Sequence, residues 1–244
     1  MPDLNSYESL AKMIDHSLLR PALTVDELEA GCLLAVHYNV ASVCILPYYA
    51  ARCAQRLADS TVKTSTTIGF PHGAHRTAIK LAEADYALKD GAVELDTVIN
   101  ISKALSGDWE YVADEIRLLT NLTHSRDARI KVIFENAYLS DADKIRLCEL
   151  CGEIGVDWVK TSTGFAPGGA TMDDLRLMRK HSPPQVQVKA AGGIRDLDTL
   201  LEVRAIGVTR VGATRTAQML DDWRRRLGSH PVVGEEVCTT SSGS

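Results

Sequence analysis

Two lysines, Lys160 and Lys189, are the residues whose types and spacing first suggest chemistry. Each lies in a short apolar run, WVKT or VQVKA, of the kind that forms a buried strand. Roughly one strand–helix repeat separates them, which would make their strands neighbours about 4.8 Å apart in a parallel sheet. Two charges about 5 Å apart repel by about 3 kcal/mol at an effective dielectric constant near 20, or roughly two pKa units. The spacing therefore predicts one neutral, nucleophilic lysine and leaves open which of the two it is.

A neutral lysine can attack a carbonyl group and form an iminium, which draws in the electrons of an adjacent carbon–carbon bond as that bond breaks. Some group must then move protons between water, the substrate hydroxyl and the enamine carbon. Asp96, in the run ELDTVI, is the carboxylate that alternation along a strand places toward the same interior. Lys160, Lys189 and Asp96 are therefore the predicted catalytic residues.

Charged residues recur on one side of the predicted strands, where a barrel interior would normally hold Val, Ile and Leu. The charged residues on that side are Glu94, Asp96, Lys131, Glu135, Lys160 and Lys189. Buried charges at the ends of barrel strands often mark a catalytic site. The alternative is an ion-pair network that only holds the strands together, although desolvation makes such networks weak stabilisers.

The elements that must position these residues alternate along the chain. Short apolar runs predict strands at 13–18, 41–46, 62–68, 92–99, 130–135, 158–161, 186–190 and 209–211. Amphipathic stretches predict helices at 24–38, 48–58, 75–89, 109–122, 141–154, 172–180, 197–206 and 215–226. Alternating strands and helices predict a parallel α/β fold.

Eight such units in a chain of 244 residues predict a single-domain (β/α)8 TIM barrel over residues 1–227. The rival, an open doubly wound sheet, usually carries GxGxxG after its first strand, and this chain has none there. Residues 228–244 are polar and rich in small side chains, so we expect a flexible C-terminal tail.

Glycine-rich turns follow the last three predicted strands, with the sequences TGFAPGGAT, AAGGI and VGAT. Barrels commonly bind phosphate through backbone N–H groups of such loops and through a helix N-terminus. Glycines that merely permit tight turns are the alternative. Arg215 follows VGAT at the start of the last predicted helix, where its guanidinium could clamp a phosphate. It could instead point to solvent or pair with a surface carboxylate.

Composition restricts the partners and the compartment. The formal net charge is -5, so no basic face for nucleic acid is expected and an anionic substrate would need a local positive site. No apolar run reaches the roughly 18 residues of a membrane span, and no signal peptide is recognised, so we expect a cytoplasmic protein. The six cysteines are expected to be reduced, and the CxxC at 148–151 falls in a helical pattern, which favours packing over metal binding.

Six motifs occur in order and together resemble the deoxyribose-phosphate aldolase family over residues 13–227. They are IDHSLL (14–19), GFPHG (69–73), ELDTVIN (94–100), KVIFE (131–135), VKTSTGFAPGGAT (159–171) and VKAAGGIR (188–195). The resemblance implies a class I aldolase that needs no metal or other cofactor. It would interconvert 2-deoxy-D-ribose 5-phosphate with D-glyceraldehyde 3-phosphate and acetaldehyde.

The resemblance also implies roles for single residues. Lys160 matches the Schiff-base lysine, Lys189 the lysine that perturbs it, and Asp96 the proton relay. The implied substrate-binding residues are Asp15, Ser17, Cys44, Lys131, Thr161, Gly164, Gly192, Gly193, Gly212 and Thr214, with Arg215 added from its position. For Cys44, a role as a small filler of the barrel is an equal alternative.

Three departures from the family pattern leave other functions open. The last tyrosine is Tyr138, so the C-terminal tyrosine of some members is missing and we expect slower turnover. Asn136 stands where a small or hydroxylated residue is common, and Arg215 where many members have serine. A Schiff-base aldolase for another phosphorylated or carboxylated sugar, favoured by Arg215, and a silent sugar-phosphate binding protein remain alternatives. The expected partners are the sugar phosphate and acetaldehyde, and a homodimer is left open.

Overall fold

A closed barrel of eight parallel strands forms the centre of the computed structural model, which describes residues 6–229. The strands are β1 (Ile14–Leu18), β2 (Ser42–Ile45), β3 (Lys63–Ile68), β4 (Glu94–Val98), β5 (Arg129–Ile133), β6 (Trp158–Lys160), β7 (Gln187–Ala191) and β8 (Arg210–Ala213). Each strand pairs with the next, and β8 closes the barrel against β1. The predicted single-domain (β/α)8 barrel is confirmed.

Helices surround the barrel in the predicted order. They are α1 (Tyr7–Ala11), α2 (Val25–His37), α3 (Ala50–Leu57), α4 (Thr77–Lys89), α5 (Ile101–Leu105), α6 (Trp109–His124), α7 (Asp141–Ile154), α8 (Met172–His181), α9 (Leu197–Ala205) and α10 (Thr216–Ser229). Short 3-10 turns occupy Pro47–Tyr49 and Asn136–Tyr138. The helices α1 and α5 were not predicted, because five residues are too few to display a helical period.

Strand alternation divides the barrel wall into two faces. In β5, Ile130 and Val132 are completely buried under the helices, while Lys131 between them turns inward. The register places Lys131 beside Asp96 of β4, and Lys160 of β6 beside Lys189 of β7. The predicted proximity of the two lysines is therefore confirmed.

The strand β5 ends two residues earlier than predicted. Glu135 has a left-handed backbone, with φ of 60°, and so leaves the strand path. Its carboxylate accepts hydrogen bonds from the backbone N–H and the hydroxyl of Thr163, at the loop after β6. The prediction that Glu135 joins the charges inside the barrel was wrong, because alternation applies only while the backbone stays extended.

The C-terminal helix α10 continues to Ser229. The rest of the predicted tail, residues 230–244, lies outside the described residues, as does Cys238. Cys148 and Cys151 are buried on α7, and burial raises the pKa of both thiols. Within residues 6–229, no helix is both long and apolar enough to cross a bilayer.

His16 is the titratable group that β1 turns outward, between the inward-facing Asp15 and Ser17. It is buried against the first residue of α10, and its Nδ1 atom lies 2.9 Å from the hydroxyl oxygen of Thr216. Burial lowers the pKa of His16 to about 4. The neutral imidazole is therefore part of the packed fold at neutral pH.

The depressed pKa of His16 predicts acid destabilisation well above the pH range of the carboxylates. The unfolded chain binds a proton near pH 6.5, whereas the folded chain does so only near pH 4, so the stability present above pH 6.5 is lost as the pH falls. We expect the free energy of unfolding to drop by about 2 kcal/mol between pH 7.5 and pH 5. Urea titrations at several pH values would measure this drop.

The control is His16→Gln, whose amide can still bond to Thr216 but does not titrate. Its free energy of unfolding should stay nearly level from pH 7.5 to pH 5. Equal slopes in the two proteins would assign the acid sensitivity to another group.

Candidate active site

A compact ion network fills the interior of the barrel. Its members, each buried, are Asp15, Glu94, Asp96, Lys131, Lys160, Lys189 and Arg210. Strand alternation had predicted Glu94, Asp96 and the three lysines. Three carboxylates thus face four cations in a region from which water is largely excluded, so one positive charge lacks a matching carboxylate.

Asp96 is the centre of this network. Its Oδ2 atom accepts hydrogen bonds from Lys160 at 2.7 Å and from Lys189 at 2.6 Å. Its Oδ1 atom accepts one from Lys131 at 2.8 Å. Burial alone would raise the pKa of Asp96, but the three ammonium groups together hold it well below its ordinary value. The carboxylate therefore stays ionised.

Lys189 is the better compensated of the two neighbouring lysines. Its Nζ atom bonds to Asp15 at 2.6 Å as well as to Asp96. Burial alone would lower the pKa of Lys189, but the two carboxylates outweigh that effect and raise it. Asp15 is held in place by Arg210 and Ser42, each 2.6 Å from its Oδ1 atom. Lys189 therefore keeps its proton.

Among the described residues, Lys160 has a single carboxylate partner, Asp96. Burial lowers the pKa of Lys160, and the nearby charge of Lys189 adds to this, so that the attraction of Asp96 is overcome. The excess positive charge of the network is relieved when Lys160 loses its proton. The structure thus separates the two lysines that the sequence could not tell apart.

A cavity of about 310 Å³ lies directly above the network, at the C-terminal ends of β1, β6, β7 and β8. Its lining residues are Ser17, Leu19, Arg20, Lys160, Thr163, Gly164, Phe165, Ala191, Gly192, Gly193, Ile194, Arg195, Gly212, Ala213 and Thr214. Lys160 is the one lysine among them, within the part of the chain that the structure describes. A carbonyl compound in this cavity would meet the amine of Lys160, whose pKa is lowered.

Two of the glycine-rich turns interlock beside the cavity. The N–H of Ala170 donates to the carbonyl groups of Ala191 and Gly192, at 3.1 and 3.0 Å. A Cβ atom on Gly169 would come within 2.6 Å of the Gly192 backbone, so the two loops can meet only without side chains there. Gly193, with φ of 91°, has open space around its Cα atom on the cavity side. These turns present bare backbone to a ligand.

The structure places some predicted substrate-binding residues at the cavity and others elsewhere. Those that line it are Ser17, Gly164, Gly192, Gly193, Gly212 and Thr214. Asp15 and Lys131 lie below, inside the network. Cys44 is buried, and burial raises the pKa of its thiol. The hydroxyl of Thr161 bonds to the backbone of Ala191 and so fixes the start of the loop after β7.

Arg215 does not line the cavity. Its side chain is exposed beside α10 and interacts electrostatically with Asp196. The cations that do line the cavity, Arg20 and Arg195, were not singled out in the sequence. Arg20 directly follows the motif IDHSLL and Arg195 ends the motif VKAAGGIR, but loop residues carry no alternation that would reveal their direction.

Arg210 is the member of the network that sequence reasoning missed. Alternation with the buried Val211 would have indicated it, because Arg210 is the first residue of β8 and pairs in register with Lys189. Within residues 6–229, no cluster of metal-binding side chains is arranged to hold a metal ion. The expectation that no cofactor is needed stays a prediction.

Comparison with known proteins gives consistent matches over nearly the whole chain. The family described as DeoC/LacD family aldolase matches residues 9–222. Deoxyribose-phosphate aldolase of Rhodopirellula baltica is 63% identical over 237 residues, 97% of this chain and 98% of that protein. The enzyme of that name from Caldanaerobacter subterraneus is 43% identical, covering 91% of this chain and 96% of the other.

A solved structure agrees in fold. The tetrameric deoxyribose phosphate aldolase from Aeropyrum pernix superposes with a TM-score of 0.84 at 30% identity, covering 91% of this chain and 93% of that one. The barrel and the order of its elements are therefore shared with a protein of this name.

The charge count inside the barrel predicts the response of Lys160 to the loss of its neighbour. In Lys189→Met, three carboxylates face three cations, so Lys160 can keep its proton without excess charge, and its pKa should rise by about one to two units. Reductive methylation at Lys160, followed against pH by mass spectrometry, would measure the shift. The neutral fraction at pH 7 should fall roughly tenfold to a hundredfold.

Lys103→Met is the matched control, because Lys103 pairs with Asp108 at the surface, away from the barrel interior. It should leave the methylation profile of Lys160 unchanged. The same profile in Lys189→Met and the parent protein would show that Lys189 does not set the pKa of Lys160.

Proposed function

Because this chain belongs to the DeoC/LacD family of aldolases, we propose that it cleaves 2-deoxy-D-ribose 5-phosphate through a Schiff base on Lys160. The products are D-glyceraldehyde 3-phosphate and acetaldehyde, and the reverse reaction forms the sugar phosphate. One observation carries the proposal: Lys160 is the lysine that both reaches the cavity and has a lowered pKa.

The reaction begins with attack of the neutral Lys160 amine on C1 of the open-chain sugar. The carbinolamine loses water to give an iminium, which polarises the neighbouring bonds. The C3 hydroxyl gives up its proton, the bond between C2 and C3 breaks, and its electron pair passes into the enamine. Glyceraldehyde 3-phosphate leaves, C2 is protonated, and hydrolysis of the iminium releases acetaldehyde and regenerates Lys160.

In these reaction steps, Asp96 acts chiefly by holding the side chains of three lysines in place. With both oxygens occupied and its pKa well below the ordinary value, it is a weak base in the free protein. The iminium formed on Lys160 keeps one N–H for Asp96, and the carboxylate can exchange protons with the substrate through a water molecule. Lys189, still charged, is the adjacent group that can return one.

Two arginines and glycine-rich backbone in the lining of the cavity favour a phosphorylated substrate. Arg20 and Arg195 supply charged donors, and the turns around Gly164 and Gly193 supply backbone groups. Arg20 also pairs with Glu27 of the capping box at the start of α2, which leaves Arg195 as the stronger candidate for the phosphate. A cytoplasmic location and self-association remain predictions.

Covalent trapping tests the assignment of the nucleophile. Incubation with acetaldehyde and borohydride should leave an ethyl group on Lys160, because only a neutral amine in the cavity forms the iminium that borohydride reduces. Peptide mapping by mass spectrometry identifies the labelled lysine. The rate of 2-deoxyribose 5-phosphate cleavage should fall in proportion to the fraction of protein that is labelled.

One variant makes this result decisive. Lys160→Met keeps the length of the uncharged side chain but cannot form a Schiff base, so it should lose both labelling and cleavage while its thermal midpoint stays close to that of the parent. Labelling that persists at Lys189 in this variant would reverse the two assignments.

The phosphate end of the substrate is tested with Arg195→Ala and Arg215→Ser. We expect Arg195→Ala to raise KM for 2-deoxyribose 5-phosphate about tenfold or more, the effect of one lost charge-assisted hydrogen bond. The same variant should hardly change kinetics with unphosphorylated 2-deoxyribose. Steady-state assays with both substrates measure the difference.

Arg215→Ser is the comparison, since Arg215 stands on the same face but outside the cavity lining. It should change KM for the phosphorylated substrate less than Arg195→Ala does. A larger effect of Arg215→Ser would support the role in phosphate binding that the sequence predicted for Arg215. If a variant affects both substrates equally, the arginine that it replaces does not bind the phosphate.

A further inference from the structure

A second cavity, of about 550 Å³, opens at the opposite end of the barrel. Residues that begin strands or immediately precede them line it: Lys12, Ala41, Thr61, Lys63, Val93, Glu94, Asp127, Arg129 and Arg210. The N-terminal end of a barrel ordinarily serves stability rather than catalysis. Here six charged residues are among those that line it.

The charges in this N-terminal cavity do not cancel. Four cations line it, and of the two carboxylates, Glu94 is already engaged from inside the barrel by Lys131, at 2.6 Å, and by Arg210, at 2.9 Å. Asp127 is the remaining carboxylate. A positive surplus in one cavity of a chain with a formal net charge of -5 marks a place that attracts anions.

Three of these cations have no carboxylate within ion-pair distance in the part of the chain that the structure describes. Lys12 instead donates to neutral oxygens, those of Asn39 at 2.7 Å, Thr61 at 2.9 Å and Val40 at 3.1 Å. Arg129 lies over the ring of Trp158, with its guanidinium carbon 5.7 Å from the ring centroid, and Lys63 is exposed.

The pKa of Lys12 responds first to burial and then to the charges around it. Burial lowers its pKa, and of the neighbouring charges Lys63 and Arg210 lower it further while Glu8 opposes them. An anion in the cavity would relieve this repulsion. Lys63 and Arg129, which have no carboxylate partner among the described residues, can each donate charge-assisted hydrogen bonds to an oxyanion in the cavity.

We infer that the N-terminal cavity binds phosphate, either as the free anion or as the phosphoryl group of a small ester, and that binding there raises the pKa of Lys160. The link is Arg210, which reaches both the cavity and the network. From Arg210 the contacts run to Asp15, then to Lys189, Asp96 and Lys160, each between 2.6 and 2.7 Å long.

The sign of the coupling follows from charge alone. An anion near Arg210 offsets part of the excess positive charge of the network, so Lys160 is more easily protonated. Activity at neutral pH should then fall while activity at alkaline pH, where Lys160 is neutral in any case, is retained. By reciprocity, protonation of Lys160 tightens anion binding.

Calorimetric titration tests the site itself. The probes are sulfate, inorganic phosphate and glycerol 3-phosphate, at constant ionic strength. The parent protein should bind at a site whose Kd rises about a hundredfold in the double variant Lys63→Ala/Arg129→Ala, about tenfold for each charge-assisted hydrogen bond removed. Lys89→Ala, which removes an exposed lysine elsewhere, should bind as the parent does.

The same titration distinguishes the free phosphate anion from a phosphate ester as the ligand. Equal Kd values for inorganic phosphate and glycerol 3-phosphate would assign the site to the free anion, whereas at least tenfold tighter binding of glycerol 3-phosphate would assign it to an ester. Unchanged binding of every probe in the double variant, and in the charge reversal Lys63→Glu, would overturn the site. These titrations do not rely on the proposed aldolase activity, so the two proposals can fail separately.

Kinetics test the coupling. Sulfate should lower kcat at pH 7 by about twofold to tenfold, as a shift of up to one unit in the pKa of Lys160 requires, and the effect should fade at alkaline pH. Inhibition that is purely competitive with the sugar phosphate would place sulfate in the catalytic cavity. Inhibition of equal size in the double variant would show that the N-terminal cavity plays no part.

Discussion

The charge imbalance inside the barrel is the constraint on which the rest of the site depends. Three carboxylates and four cations of the described residues share a buried space, where an uncompensated charge is expensive. The proton that can be given up most easily is that of Lys160, whose only carboxylate partner is the shared Asp96. A reactive amine thus follows from the composition of the barrel interior, and no strained geometry has to be invoked.

Much of this could be predicted from the sequence, because strand alternation has a strict period of two residues. Strand alternation predicted that Lys131, Lys160 and Lys189 all face the barrel interior. The length of one strand–helix repeat predicted that Lys160 and Lys189 lie on neighbouring strands. It could not decide which of them loses its proton. That decision depends on Asp15 and Arg210, which come from the two strands that close the barrel, and closure is a property of the folded chain.

The failures have one physical origin. Glu135 leaves the predicted pattern where the backbone turns left-handed, and the arginines of the catalytic cavity lie in loops, so no period governs their direction. Arg215 was singled out because it precedes a helix, yet its exposed side chain is not among those that line the cavity. Loop residues take their direction from packing between loops, such as the approach of Gly169 to Gly192, which only the structure reveals.

A charged barrel interior also changes what the barrel can transmit. Where Val, Ile and Leu fill the space, each layer of side chains is electrically neutral and the two ends of the barrel are independent. Here ionised groups lie in contact from Arg210 at one end to Lys160 at the other, in surroundings that screen them poorly. Any charge that settles at the N-terminal end must therefore alter the proton affinity at the catalytic end. The same network that activates the lysine makes its activation adjustable from outside the active site.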